Sequence, residues 1–332
     1  MKVSVLGAGG WGTSLAILLH ENSNSVTLWE FNKEYSHTLD SYRENFYYLP
    51  KVKIPSGITI TNDLYEAATG KDVIIISTPT QYIRSALKEL KNATTRNSLI
   101  VNVSKGIEND TLMLVNDIIQ DIIPDVTPEQ ICCVSGPSHA EEVSRKIPTA
   151  VVCASNSSSS AKTVQDLMSN NYFRVYTCDD VTGVELSGAL KNVIAIATGI
   201  ADGAGFGDNT KAAIMTRGLN EIMKMGLKAG ARMETFFGLS GVGDLIVTCS
   251  SPHSRNRFVG QEIGKGKSLE TVLTEMKMVA EGVATSRSAL MLSELRGIEM
   301  PIVKEVNEIL FNKKDPLDAT NELMLRSLKS EI

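Results

Sequence analysis

Lys2-Val3-Ser4-Val5-Leu6-Gly7-Ala8-Gly9-Gly10-Trp11-Gly12 opens the chain, and how it is read decides the fold. Its first five residues predict a strand, and Gly7, Gly9 and Gly12 follow in G-x-G-x-x-G spacing before the helical pattern Thr13–His20. Gly7 permits the tight turn, Gly9 lets a pyrophosphate approach the backbone, and Gly12 lets helix and sheet pack closely. The helix start then offers free N–H groups and a favourable dipole to the anion. Alone the glycine spacing is a weak signal. At the first strand-to-helix turn of a βαβ unit it predicts dinucleotide binding, with Gly10 and Trp11 inside the turn.

Outward from this turn the alternation continues. SVTLWEF, DVIIIST, SLIVNVS, QICCVSG, TAVVCAS and FRVYTC are short, apolar strand candidates, with amphipathic stretches such as Ile83–Leu90 between several of them. The pattern predicts an α/β domain, a Rossmann-type doubly wound and mostly parallel sheet, over residues 1–178. Ser155–Ser160 reads as a loop and helix cap rather than a linker. From Val181 the spacing turns helical, as in ELSGALKNVIAIATGIADG and TKAAIMTRGLNEIMKMGLKAG, and predicts an all-α domain over residues 179–332. A chain of 332 residues is long enough for two cores.

Composition excludes several functions. A net charge of −5 argues against non-specific nucleic-acid binding, which leans on a basic surface. The N-terminus begins as a strand rather than a signal peptide, and no apolar run approaches the roughly 18–20 residues that cross a bilayer. The five cysteines form no CxxC pair and no cluster with metal spacing. No metal is expected, and scattered thiols fit a reducing cytoplasm.

Candidate site residues fall at strand ends and in the helical half. Glu30, at the end of the second strand, is placed to bond an adenine ribose 2′-hydroxyl and repel a 2′-phosphate, which favours NAD over NADP; a solvated loop glutamate is the other reading. Phe31 stacks on adenine or packs, and Trp11 has the same two readings. Ser77-Thr78-Pro79, Ser104-Lys105-Gly106 and Gly136-Pro137-Ser138-His139-Ala140 follow strands and reach the mouth of the sheet, where Lys105 brings a positive charge or is simply a surface lysine. Lys191 sits in a helix apolar on nearly every face, where it needs a partner, a ligand or a shifted pKa, unless it snorkels. Desolvation would bring it into the range of a general acid–base. His139 ranks below it, having no flanking carboxylate. The segment FFGLSGVGDLIVTCSSPHSRNR, Phe236–Arg257, supplies Asp244, then Ser254, Arg255, Asn256 and Arg257, groups that a phosphate ester needs.

Together GAGGWGT, NVSKGIE, SGPSHAEEV, ELSGALKNVIAIATGIADG and GLSGVGDLIVTCSSPHSRN resemble the bacterial NAD(P)-dependent glycerol-3-phosphate dehydrogenase family, in the family's order and over essentially the whole chain. The resemblance implies reversible reduction of dihydroxyacetone phosphate to sn-glycerol 3-phosphate, feeding phospholipid synthesis. It implies Lys191 as proton donor or acceptor at the C2 oxygen, Lys105 polarising the carbonyl, and Asp244 orienting substrate and Lys191. Ser254, Arg255 and Asn256 would hold the phosphate end, with Gly136 and Ser138 adding contacts. Gly10, Trp11, Phe31, Lys105, Ala140, Arg255, Val279 and Glu281 would line the dinucleotide site. Arg257 receives no role. The chain departs from the family where many members carry a basic residue or histidine in place of Phe31. NAD is therefore the expected cofactor, with NADP the alternative. Other readings are a related dehydrogenase of non-phosphorylated hydroxy acids and a dinucleotide-binding sensor without chemistry. A homodimer is expected from the many apolar residues of the helical domain.

Overall fold

A computed structural model describes residues 1–90, 97–328 and 330. Its strands are β1 (Lys2–Leu6), β2 (Ser25–Trp29), β3 (Glu44–Asn45), β4 (Leu49–Lys53), β5 (Thr59–Thr61), β6 (Val73–Ile76), β7 (Leu99–Asn102), β8 (Ile131–Ser135), β9 (Thr149–Ser155) and β10 (Phe173–Cys178). Eight of them form one sheet in the order β10-β9-β8-β7-β6-β1-β2-β5, and β3 and β4 pair separately. β1 lies parallel to both β2 and β6, so the chain order reverses at β1, as a doubly wound sheet requires. Within this sheet β8 and β9 pair antiparallel.

The strands are apolar on both sides because both faces are covered. In β6, Val73 and Ile75 join one core, where Leu15, Leu18 and Leu19 of the helix Gly10–Glu21 also pack. Ile74 and Ile76 point the other way, toward Ile83 and Leu87 of the helix Thr80–Leu90 and Ile118 and Ile119 of the helix Val115–Ile122. Ser157 caps the helix Ser158–Met168, so the serine run is a cap. Cys132, Cys133, Cys153 and Cys249 are buried, Cys178 is half-buried, and all five are free thiols.

Beyond β10 the described chain is helical. Its centre is the helix Val181–Gly203, buried from Gly183 through Ala201. This corrects one sequence expectation: the helix is long and apolar enough to cross a membrane by length and composition. It lies wholly inside the protein, wrapped by the helices Asp208–Lys228, Asp244–Ser250, Arg255–Gly264 and Glu281–Arg296, which accounts for its composition. Glycines let the helix Arg255–Gly264 touch its backbone. A Cβ on Gly199 would lie 2.1 Å from the Arg257 carbonyl oxygen, and one on Gly260 would lie 2.1 Å from that of Ile196. The phosphate-type cluster is thereby carried on a helix in direct contact with the one that holds Lys191.

Candidate active site

The glycine turn sits where the sheet reverses. Gly7 has φ +118°, and a Cβ there would lie 2.9 Å from the Ser77 carbonyl at the end of β6. A Cβ on Gly12 would lie 1.9 Å from the Gly7 oxygen, so only glycine keeps helix and strand this close. At Gly9 the opposite holds: a Cβ would meet nothing within 4 Å. Gly9 is the N-cap of the helix Gly10–Glu21 and no side chain caps it. The first N–H groups of that helix have no intrahelical acceptor, and the space beside Gly9 is open. These residues therefore fit a pyrophosphate. Ala140 flanks the turn, its Cβ 3.7 Å from where a Cβ on Gly10 would stand.

Around the turn, Glu30 accepts a hydrogen bond from Asn32 N at 2.9 Å, and burial raises its carboxyl above the ordinary range. Phe31 is 79 % exposed, so it does not pack. Trp11 packs, its ring 6.4 Å from that of Phe173. From the helical side, Glu281 Oε1 accepts from Thr80 N at 2.8 Å, and Arg255 Nη1 donates to the Val279 carbonyl at 3.0 Å. Glu281 Oε2 is buried without a partner, and burial pushes that carboxyl up to about 7 against the pull of Arg255.

Lys105, Lys191 and Asp244 meet in one place. Asp244 is 1 % exposed. It accepts from Lys191 Nζ on Oδ1 and from Lys105 Nζ on Oδ2, the latter at 2.7 Å. Lys191 Nζ also donates to Thr248 Oγ1 at 2.6 Å, and Lys105 Nζ to the Gly136 carbonyl at 3.0 Å. Lys191 does not snorkel. Burial pulls its pKa down to about 7, with repulsion from Lys105 adding and Asp244 opposing. Burial would raise the Asp244 carboxyl, but the two ammonium groups outweigh it and hold the group below its ordinary value. The glycine-rich kink Leu239–Gly243 leads into Asp244: a Cβ on Gly241 would lie 2.0 Å from the Phe236 carbonyl oxygen.

The phosphate-type cluster is more divided than its sequence implies. Ser254 is buried and caps the helix Arg255–Gly264 through Arg257 N at 3.2 Å. Arg255 is exposed. Asn256 is buried, donating to Asn192 Oδ1 and accepting from Gly282 N, both at 2.9 Å, so its amide also braces three helices. Arg257 turns away to pair with Asp202, a structural brace. Gly136 has φ +145°, and Ser138 Oγ donates to the Gly136 carbonyl at 3.0 Å. His139 Nε2 is buried without a partner, and burial, then Lys191, lowers the ring's pKa.

Sequence reading missed Thr248 and Asn192. Thr248 lies one helical turn after Asp244 and so shares its face, a spacing that was legible. Asn192 follows Lys191 directly and donates to the Lys105 carbonyl at 3.1 Å, a contact across 87 residues with no sequence signal.

Known proteins resemble this chain over its whole length. A family model described as NAD-dependent glycerol-3-phosphate dehydrogenase N-terminus matches residues 2–161, and the corresponding C-terminus model matches residues 180–321. The chain is 47% identical over 332 residues to glycerol-3-phosphate dehydrogenase [NAD(P)+] of Fusobacterium nucleatum, covering 100% of this chain and 99% of that protein. It is 47% identical over 331 residues to the Bacillus subtilis protein of the same name, covering 100% and 96%. The crystal structure of glycerol-3-phosphate dehydrogenase from Coxiella burnetii superposes with a TM-score of 0.94 at 34% identity, covering 98% of this chain and 99% of that one. The chain belongs to the NAD-dependent glycerol-3-phosphate dehydrogenase family.

Proposed function

We infer that the chain is an NAD(P)-dependent glycerol-3-phosphate dehydrogenase that interconverts dihydroxyacetone phosphate and sn-glycerol 3-phosphate. The observation that carries the reading is the Lys191–Asp244–Lys105 triad, with Lys191 and Asp244 buried, in a chain whose glycine turn is open to a pyrophosphate at Gly9. When bound, the nicotinamide dinucleotide supplies or accepts the hydride at C2 of the substrate. Gly7, Gly9, Gly10, Trp11, Gly12 and Ala140 hold its pyrophosphate side. Lys105, Arg255, Val279 and Glu281 line its nicotinamide side, and Glu30 and Phe31 its adenosine end. Residues 1–178 form the dinucleotide-binding unit and 179–332 the substrate unit.

Lys191, poised near neutrality, gives a proton to the C2 oxygen during reduction and takes it back during oxidation. Lys105 stabilises the charge that develops on that oxygen, a role worth most in a site closed to water. Asp244 keeps both ammonium groups aimed at one point. Arg255, Ser254 and Asn256 receive the phosphate, Asn256 through the amide capacity its helix contacts leave over, and Gly136 and Ser138 bound the same space. Glu30 favours NAD, because a 2′-phosphate beside a carboxylate is repelled. The product feeds glycerophospholipid synthesis in the cytoplasm, where free thiols persist, and the protein works as a homodimer.

Turnover of dihydroxyacetone phosphate with NADH and with NADPH tests the reading. Activity is expected with the phosphorylated ketone and not with hydroxy acids, with kcat/KM higher for NADH. Turnover of hydroxy acids alone, or none with either substrate class, would overturn it. A kcat/KM for NADPH equal to that for NADH would remove the role of Glu30.

A further inference from the structure

Glu185 lies on the Lys191 helix and is buried. Its Oε1 accepts from Asn102 Nδ2 at 3.1 Å and from Asn116 N at 3.0 Å. Asn102 closes β7, and its Oδ1 accepts from Ser104 N at 2.8 Å. Lys105 is the next residue. Ser104 Oγ in turn donates to the Thr78 carbonyl at 2.6 Å. The amide of Asn102 thus has one satisfied orientation, with Nδ2 toward Glu185 and Oδ1 toward the turn. Without the Glu185 acceptor, the nearest other partner for Nδ2 is Cys133 Sγ at 3.9 Å, a weak one. The Ser104 N–H alone would then orient the amide, with a buried Nδ2 left to that weak acceptor and the turn free to shift.

We propose that Glu185 is a positioning residue for Lys105, acting through Asn102 and Ser104 to set the turn that aims the Lys105 ammonium. The inference rests on the reading that Lys105 acts at the substrate oxygen. Burial pushes the Glu185 carboxyl up to about 8, with Asp117 adding to it and the donors on Asn102, Val115 and Asn116 opposing. The neutral form is accordingly present at neutral pH, and glutamine reproduces its shape and its acceptor.

The test is a double-mutant cycle in kcat and KM for dihydroxyacetone phosphate with Glu185→Ala and Lys105→Ala, each variant checked by thermal melting. Glu185→Ala is expected to lower kcat by on the order of 10- to 100-fold, as a displaced reacting group does. In the Lys105→Ala background the same change should cost less than about twofold, because the group it positions is gone. Glu185→Gln should recover kcat to within about threefold of the native enzyme. A loss that multiplies in the Lys105→Ala background, or a Glu185→Gln variant as slow as Glu185→Ala, overturns the inference and leaves Glu185 as packing alone. Should Glu185→Ala fail to fold, the Asn102→Ala and Lys105→Ala cycle is read the same way. Near-native turnover of Lys105→Ala would instead refute the role of Lys105 itself.

Discussion

Two ammonium groups share the one carboxylate of Asp244 in a space nearly closed to water. Burial disfavours every charge there, and Lys191 bears the cost by releasing its proton near pH 7 rather than near 10.5. The direction of the pH effect follows. Reduction needs the protonated lysine, so its kcat/KM should fall as pH rises through about 7; oxidation needs the neutral lysine and should fall as pH drops through the same value. Profiles of both directions check this, and flat limbs between pH 6 and 9 would contradict it. Lys191→Met should lower kcat by on the order of 10²- to 10⁴-fold, the usual loss of a general acid–base. Asp244→Asn takes away the largest charge favouring protonation of Lys191 while Lys105 still repels it. The reduction limb should therefore move to lower pH, which a profile of that variant would reveal; a limb moving to higher pH would refute the assignment.

At the scale of elements, the helix pair Val181–Gly203 and Arg255–Gly264 decides whether the reacting and phosphate ends stay in register. Gly260→Ala sets two effects against each other. Alanine gains about 1 kcal/mol of helix propensity over glycine. Its Cβ would lie 2.1 Å from the Ile196 carbonyl oxygen, a backbone atom that no side-chain rotation can move away. Overpacking of this kind costs roughly 1–3 kcal/mol or more, so the clash should win. Urea unfolding should show net destabilisation, and KM for the phosphorylated substrate should rise as the helices part. Much of this level was legible in sequence. The β-branched runs read as buried strands because a parallel sheet leaves no polar face, and the uninterrupted apolar cover around Lys191 read as a buried helix. β3 and β4 were not legible, since two residues of EN and the charged LPKVK carry no apolar period. Nor was the antiparallel pairing of β8 and β9, which depends on a return too short in regular structure to cross the sheet. The Asn102–Glu185 bond spans 83 residues, and no local pattern encodes a partner at that separation.

For the whole molecule, an acidic chain of net charge −5 must draw in a phosphate dianion. Local charge decides this. Lys105 and Lys191 sit in a poorly solvated space, where Coulomb terms are strong and salt screens little. Arg255 is exposed, so counter-ions compete with the substrate for it. The two kinds of cation should therefore separate in a salt titration. Between roughly 50 and 500 mM salt, across which the Debye length falls several-fold, KM for dihydroxyacetone phosphate should rise severalfold while kcat changes by less than about twofold. Arg255→Gln should raise KM at low salt and flatten that dependence, since the screened partner is gone. A kcat that falls with salt while KM holds would mean that the buried pair is the screened one, and that solvent enters the site far more freely than the 1 % exposure of Asp244 allows.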